Sequence, residues 1–553
     1  MIENASGEVK RVTGEKQVFL YDTTLRDGSQ RAGISFSLQD KLRIAHALDA
    51  FGIHFIEAGW PGANPKDNHF FEAARREEWI QAELVAFGST RRVGCKVQED
   101  PILEALLKSG TRTITIFGKS WDLHVTQALG TTLDENCRMI EESVAWLKEH
   151  GIRVIYDAEH FFDGFKHNPE YAIRTLHAAA NGGADWITLC DTNGGSLPEQ
   201  IGATIDAVRA EIHVPLGIHT HDDAGLGVAN SLIAVRHGAT MVQGTVNGYG
   251  ERCGNANLCA VIPNLVLKMD VPCLDREKLK QLHKLSYLVS ETANLQPLDA
   301  QPYVGKNAFA HKGGVHVSAI LKNPTTYEHV LPEEVGNERQ VLISELSGKS
   351  NLIRRASELG WDLEGEPHLA ASVIQKVKEL ENQGYHFESA EGSLYLLLEK
   401  SRSNYRPPFL LSNFQVSVES KLDTGSVQEK AHAYVELMVG SETIRGESEG
   451  DGPVNALDRA LRKGLLSIFP ELSHVNLLDY KVRVIEGSEG TGAKVRVLIE
   501  SGDGQETWST IGVSSNILSA SCQALIDSLE YYLVRHHRTQ SASTPVSRGV
   551  VSR

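Results

Sequence analysis

From residue 17 to about 265, short β-branched and apolar runs alternate with longer stretches of helical spacing. The runs are Val18–Tyr21, Ile53–Glu57, Leu84–Phe87, Thr113–Phe117, Val154–Asp157, Trp186–Cys190, Leu216–His219 and Met241–Val246. They recur at roughly 30-residue intervals, the period of strand–helix units in a parallel sheet. Between them, Leu38 to Phe51 sets Leu42, Ala45, Leu48 and Ala50 on one side of a helix, and Leu133 to His150 opens with a cap-like Thr-Leu-Asp-Glu run. Eight regular units without a long crossover predict an α/β chain closed into a (β/α)8 TIM barrel. An open doubly wound sheet is the weaker reading, because no Gly-x-Gly-x-x-Gly follows the first strand.

The pattern changes after the barrel. Residues 266 to 410 are mostly helical, with Leu279, Leu282, Leu285 and Val289 repeating as a core stripe along Asp275 to Ala293, and Ser401 to Pro408 reads as a linker. Then Phe414–Glu419 and Ala431–Val439 alternate as strands, and Gly450-Asp-Gly-Pro-Val-Asn-Ala-Leu457 opens a helix through Leu466. The same order returns in Tyr480–Ile485, Val495–Glu500 and a helix opened by Gly512 to Ala520 and running through Leu533. This is an internal duplication of a strand-strand-helix unit, and without a titratable cluster of its own it reads as a binding or assembly module. The Ser-rich tail beyond Arg538 is expected to be disordered.

Composition narrows the function. A formal net charge of -16 argues against sequence-independent binding to nucleic acid or to anionic lipid, so any anionic substrate needs a local positive site. The segment Met1 to Gln17 lacks the apolar core of a signal peptide, and no apolar run is long enough to span a bilayer. Seven scattered cysteines without a Cys-x-x-Cys pair fit a reducing compartment, and a cytoplasmic protein is expected.

The chemistry gathers where the barrel strands end, the working face of such a fold. Gly217-Ile-His-Thr-His-Asp-Asp-Ala-Gly225 carries His219 and His221 two residues apart, so an extended backbone offers both imidazoles to one point. Polar clusters also follow the first strand (Tyr21 to Gly28), the fifth (Asp157-Ala-Glu-His160), the sixth (Asp191-Thr-Asn-Gly-Gly195) and the eighth (Asn247 to Asn255). Taken singly, Arg26-Asp27-Gly28 reads as a turn with a solvated arginine, and Asn255 as a helix cap. Together they predict Asp27, His219, His221 and Asn255 around a divalent cation, and that donor set suits Mn, Mg, Zn or Fe. Farther on, Phe309-Ala-His-Lys-Gly-Gly-Val-His316 places a glycine pair between histidines, which implies a tight turn or a close backbone approach.

The stretches Asp22-Thr-Thr-Leu-Arg-Asp-Gly-Ser-Gln30, His219-Thr-His221 and Asn247-Gly-Tyr-Gly-Glu-Arg-Cys-Gly-Asn255 resemble the isopropylmalate, homocitrate and citramalate synthase family, whose barrels resemble those of hydroxymethylglutaryl-CoA lyases. Phe117-Gly-Lys-Ser-Trp-Asp-Leu-His124 and Asp157-Ala-Glu-His-Phe-Phe-Asp163 look most like the citramalate branch. The resemblance implies condensation of acetyl-CoA with pyruvate to (R)-citramalate for isoleucine synthesis, with the 2-ketoisovalerate (leucine) and homocitrate reactions as alternatives. It implies Mn2+ or Mg2+, or else Zn2+, held by Asp27, His219, His221 and Asn255. Arg26 is then placed beside the metal, Thr192 on the keto acid carboxylate and Glu159 by acetyl-CoA. His316 and Tyr327 resemble a pair supplied across a homodimer interface; Ser318 stands where some relatives carry Asp, so no role passes to it. The implied domains are a catalytic barrel over 17–270, helical linker subdomains over 271–408, and a regulatory domain over 409–538 that answers to isoleucine or leucine. A non-haem iron oxygenase shares the His-His-carboxylate set, but its usual β-sandwich barrel conflicts with the strand–helix alternation.

Overall fold

The computed structural model describes residues 17–341, 356–357, 361, 367–423, 426–485 and 492–543. Residues 1–16, read above as lacking a signal peptide core, and the tail after Ser543 lie outside the described residues. The chain divides into two compact units, Met1–Phe309 with Glu328–Arg339, and Ala310–Tyr327 with Gln340–Arg553.

The first unit is a closed barrel of parallel strands: β1 (Phe19–Asp22), β2 (Phe55–Gly59), β3 (Glu83–Ser89), β4 (Thr113–Lys119), β5 (Arg153–Glu159), β6 (Trp186–Asp191), β7 (Leu216–Thr220) and β8 (Met241–Gly244). Closure is direct, since β1 pairs with β2 through Tyr21↔Phe55 and with β8 through Asp22↔Gly244. Successive strand residues point to opposite faces, and the two faces carry different chemistry. Leu20, Ile56, Ala86, Ile116, Tyr156, Leu189, Ile218 and Val242 join the apolar layer shared with the helices, while Tyr21, Phe55, Val85, Ile155 and Met241 fill a separate cluster with Phe19 and Trp186. That floor is aromatic: the Phe19 and Trp186 rings meet edge to face at 5.3 Å. In the same phase, nearer the mouth, stand Glu57, Asp157, His219 and Gln243.

The helix Leu38–Phe51 is set by its ends. Ser37 Oγ accepts the Asp40 amide while the Asp40 carboxylate accepts the Ser37 amide, and Gly52 closes the helix at φ 112°. Its buried face carries Ile44, Ala45, Leu48 and Phe51. Ala50 is exposed and Leu42 only half-buried, which corrects the predicted stripe by a small rotation. The helix Leu133–Glu149 is capped by Thr132, whose hydroxyl accepts the Glu135 amide. The predicted run Asp275 to Ala293 is broken into Arg276–Leu279 and Leu282–Thr292. At the break the backbone of Gly336 packs so closely that a Cβ there would stand 2.0 Å from the Lys280 carbonyl oxygen.

The second unit opens with a parallel pair, β9 (Ala310–His311) and β10 (Gln340–Val341), and includes the helices Gly314–Lys322, Pro367–Asn382 and Glu391–Lys400. Two antiparallel sheets follow, β11 (Leu410–Asp423), β12 (Ser426–Val439) and β13 (Glu442–Gly450), then β14 (Asn476–Val484), β15 (Val495–Gly502) and β16 (Thr507–Ser514). Each ends in a helix, Pro453–Leu465 and Ile517–Ser543. The repeat is therefore strand-strand-strand-helix, and the expectation of two strands per unit is corrected. The missing strands were hidden by their glycines: a Cβ on Gly446 would meet Ala460 O at 2.1 Å, and one on Gly512 would meet Ala520 O at 2.0 Å. These glycines let strand and helix backbones touch, so Gly512 sits within β16 instead of opening the helix. The last helix continues to Ser543, past the point where disorder was expected.

Candidate active site at the barrel mouth

The ends of β1 and β7 bring three side chains to one place. Asp27, His219 and His221 are all buried, and each offers a ligand atom within 4.8 Å of the others. His219 Nε2 stands 3.5 Å from Asp27 Oδ2, and the two imidazole rings are 5.2 Å apart. The His219 ring is oriented from behind: its Nδ1 lies 2.8 Å from Gln243 Oε1, a carbonyl oxygen that only accepts, so Nδ1 carries a proton and Nε2 is turned toward Asp27. Gln243 is held in turn, its Nε2 donating to Asp157 Oδ1 at 2.9 Å and to Thr188 Oγ1 at 3.2 Å.

The loop after β8 completes the enclosure. Asn255 bridges to His221 through the backbone, and its Nδ2 donates to the Tyr249 carbonyl at 3.2 Å. Its position depends on Gly250, where a Cβ would stand 2.2 Å from Asn255 Nδ2. Two buried polar atoms here have no hydrogen-bond partner, His221 Nδ1 and Asn255 Oδ1. An orphaned buried acceptor is costly unless something outside the chain satisfies it. Burial and the neighbouring His219 push the His221 imidazole down to about 4, so it is neutral with a lone pair to offer. Burial opposes ionisation of Asp27, but the neighbouring Arg26 charge leads the contacts that outweigh it and hold the carboxyl below its usual range. A carboxylate, two imidazoles and an amide oxygen are a donor set that fits a divalent cation. Asp22 is excluded from it, because its oxygens accept from the Thr24 amide at 2.9 Å and the Thr24 hydroxyl at 2.8 Å.

Beside this cluster Arg26 is fixed on three sides. Its Nε donates to Glu57 Oε1 at 2.5 Å, its carbon lies 3.7 Å from the Phe87 ring centroid, and Nη1 stands 3.6 Å from Asp27 Oδ2. Glu57 is fully buried and also accepts from the Tyr21 hydroxyl at 2.5 Å. Burial works against the Arg26 charge, yet Glu57 and Asp27 hold its pKa above the ordinary arginine value. Asp157, deeper in the barrel, is pushed up to about 8 by burial and by the negative charge of Glu57.

These groups line a cavity of about 240 Å³ with Trp60, Phe117, Glu159, Cys190, Thr192 and Arg252. Trp60 meets Phe87 and Phe117 edge to face at 5.6 and 5.7 Å, so the wall beside Arg26 is aromatic. The Thr192 hydroxyl accepts the His160 amide at 2.9 Å, which leaves its own hydrogen to be donated elsewhere. Glu159 is paired with Lys119 across the β4–β5 register. Arg252 forks onto Asp223 at 2.8 and 2.9 Å and donates to the Thr192 carbonyl, tying two rim loops together.

The barrel thus assembles Arg26, Asp27, Glu159, Thr192, His219, His221 and Asn255 at one mouth. His316 and Tyr327 belong to the second unit, where both are exposed and their rings stack at 4.2 Å. Sequence reasoning missed Glu57 and Gln243, and placed Asp157 in a rim cluster without giving it a role. The signal for each was a polar residue in the inward phase of an otherwise apolar strand, as in Phe55-Ile-Glu-Ala-Gly59. Among the described residues, no helix is long and apolar enough to cross a membrane.

Residues 17–289 match the family described as HMGL-like, residues 303–385 the homocitrate synthase post-HMGL domain-like family, and residues 388–533 the LeuA allosteric (dimerisation) domain. The chain is 51% identical to an (R)-citramalate synthase of Synechocystis sp. over 94% of its length and 97% of that protein. It is 52% identical to an (R)-citramalate synthase of Aquifex aeolicus, covering 94% of this chain and 98% of the relative. A 2-isopropylmalate synthase of Methanocaldococcus jannaschii is 30% identical, with 94% and 96% covered.

Proposed function

The chain belongs to the (R)-citramalate synthase family, and we infer that it is an acyltransferase condensing acetyl-CoA with pyruvate and water to give (R)-citramalate and CoA, a step toward isoleucine. The observation that carries the reading is the convergence of Asp27, His219 and His221 beside Arg26, with His221 Nδ1 and Asn255 Oδ1 left unsatisfied. A divalent cation, Mn2+ or Mg2+ before Zn2+, would be held by Asp27, His219, His221 and Asn255, and when bound it supplies Lewis acidity toward a keto acid. The remaining work falls to side chains. Thr192, whose hydroxyl hydrogen is uncommitted, donates to the keto acid carboxylate. Arg26, already oriented by Glu57 and Phe87, faces the keto oxygen and stabilises the alkoxide that forms as the new carbon–carbon bond closes. Glu159 lines the cavity, and it, or His316 with its neighbour Tyr327 supplied by a second copy of the chain, takes the methyl proton and activates the water that cleaves the thioester.

The aromatic wall supports pyruvate over a branched keto acid, because Trp60, Phe87 and Phe117 leave a small cavity beside Arg26. A pocket discriminates by about 1–3 kcal/mol per methylene, so the preference is measurable rather than absolute. The test compares CoA release from acetyl-CoA with pyruvate, 2-ketoisovalerate and 2-ketoglutarate at equal concentration. Pyruvate is expected to give the highest kcat/KM; a clear preference for 2-ketoisovalerate would make this a 2-isopropylmalate synthase.

The match of residues 388–533 to an allosteric dimerisation domain supports a homodimer inhibited by isoleucine or leucine through residues 409–538, with catalysis assigned to 17–270. Truncation after Arg406 should abolish inhibition by either amino acid while some activity survives. Inhibition that persists in the truncated chain would refute the assignment.

A further inference from the structure

Arg252, Arg26 and Lys119 stand at the ends of barrel strands, and they differ in what they have left to give. Arg252 is spent on Asp223 and on the Thr192 carbonyl. Arg26 is committed through Nε to Glu57 and leans on Asp27. Lys119 is held differently. It ends β4 directly opposite Glu159, the end of β5, and its ammonium pairs with Glu159 Oε2. The two side chains keep 19% and 24% exposure, enough for a substrate to reach both. Their backbone is anchored from either side, Lys119 O accepting from Asn136 Nδ2 at 2.8 Å and Glu159 O accepting from the Ser120 amide at 3.1 Å. An ammonium has three N–H donors, and a single carboxylate oxygen occupies one of them.

Enolisation of a thioester needs a base at the methyl group and, one carbonyl away, a donor for the oxygen on which charge collects. Lys119 and Glu159, at paired ends of neighbouring strands, bring an ammonium and a carboxylate to the same side of the barrel mouth. We propose that Lys119 is a catalytic residue that donates to the thioester oxygen of acetyl-CoA while the adjacent Glu159 removes the methyl proton. The inference rests on the acetyl-CoA condensation proposed above. The Glu159 carboxylate takes the proton, the C–H electron pair becomes the carbon–carbon double bond of the enolate, and the carbonyl π pair moves to the oxygen facing Lys119. The enolate carbon then attacks C2 of pyruvate, the thioester carbonyl re-forms, and the C2 oxygen takes up the proton that Glu159 removed, which returns Glu159 to carboxylate and gives the citramalyl thioester that water cleaves. Lys119 returns unchanged.

The test uses the full-length metal-loaded enzyme and two probes, CoA and carboxymethyl-CoA, whose carboxylate mimics the enolate oxygen. In Lys119→Met, kcat should fall at least about a hundredfold, as for loss of one preorganised oxyanion donor, with the KM for pyruvate within about threefold of the starting value. The preference for carboxymethyl-CoA over CoA should drop by a factor of ten or more, and Lys119→Arg should restore part of it. A merely structural role would weaken both probes equally. The proposal is overturned if Lys119→Met keeps a kcat within about threefold, or loses activity with the ratio of the two inhibition constants unchanged. Unmutated enzyme that releases no CoA from acetyl-CoA and pyruvate would instead refute the proposed function itself.

Discussion

Buried charge is handled in opposite ways in the two units of this chain. In the second unit, Asp527 and Glu530 on the last helix meet a closed set of partners: Ser393 Oγ donates to Asp527 Oδ2 at 2.9 Å, Tyr405 to Glu530 Oε1 at 2.5 Å, and Lys400 Nζ lies 3.2 and 2.8 Å from the two carboxylates. That network satisfies itself and pins Glu391–Lys400 to the helix Ile517–Ser543. At the barrel mouth, Asp27, His219, His221 and Asn255 are equally buried, yet His221 Nδ1 and Asn255 Oδ1 end with nothing to bind. Polar groups that close on one another are architecture; polar groups aimed at a common empty valence are preorganised for a ligand. The contrast also separates the two ends of one barrel, whose aromatic floor packs around Phe55 and Trp186 while the mouth carries the unsatisfied polar groups.

The most severe way to break the comparison is Asp27→Ala. The mouth should stop binding Mn2+ in equilibrium dialysis and CoA release should fall by more than the roughly 10–100-fold typical of losing an outer partner. Wild-type Mn2+ affinity in this variant would mean that the orphaned atoms serve something other than a cation. Next, Arg26→Ala should lower kcat about a hundredfold, on the order of 3 kcal/mol. Because that change also strips a partner from buried Glu57, Arg26→Lys is the companion variant: it keeps a charge on Glu57, loses the guanidinium fork, and should remain well below wild type. Turnover near normal in either variant removes Arg26 from the mechanism. Smaller again is Gln243→Leu, which frees His219 to rotate or change tautomer. Mn2+ affinity should weaken about 10–100-fold with kcat largely recovered at saturating metal; an unchanged binding curve would show that Gln243 orients nothing.

What the sequence disclosed follows the same division. Period-two strands buried on both faces, spaced by capped helices, place all eight barrel strands to within a few residues, because register in a closed parallel barrel leaves little freedom. His219-Thr-His221 is readable since two imidazoles in one phase of a strand must meet. Glu57 is not, because it is a lone carboxylate in an apolar run and its partner Arg26 comes from the loop after another strand. Gln243 hides for the same reason. The third strands of the repeat were lost where polar positions outnumber apolar ones, as in Glu442-Thr-Ile-Arg-Gly-Glu-Ser-Glu-Gly450, and where the contact that matters is a glycine backbone against a helix.

The mildest perturbation tests the other side of the contrast. Ser393 is buried, donates to Asp527 and accepts the Ile511 amide of β16 at 3.0 Å, so Ser393→Ala removes two hydrogen bonds and creates no charge. Burial already pushes the Asp527 carboxyl up, against the opposing pull of Lys400 and Ser393, so the loss falls on a group with little solvation to recover. A cost of about 1–3 kcal/mol is expected, confined to the second unit. Amide exchange across Thr507–Ser514 should accelerate roughly 5- to 150-fold, since about 1.4 kcal/mol is a factor of ten, while kcat and Mn2+ affinity stay at wild-type values. Unaltered exchange in β16 would show that this network is ornamental to stability. A fall in kcat without a change in exchange would be worse for the comparison, because a closed polar network in the second unit would then be part of the chemistry at the barrel mouth.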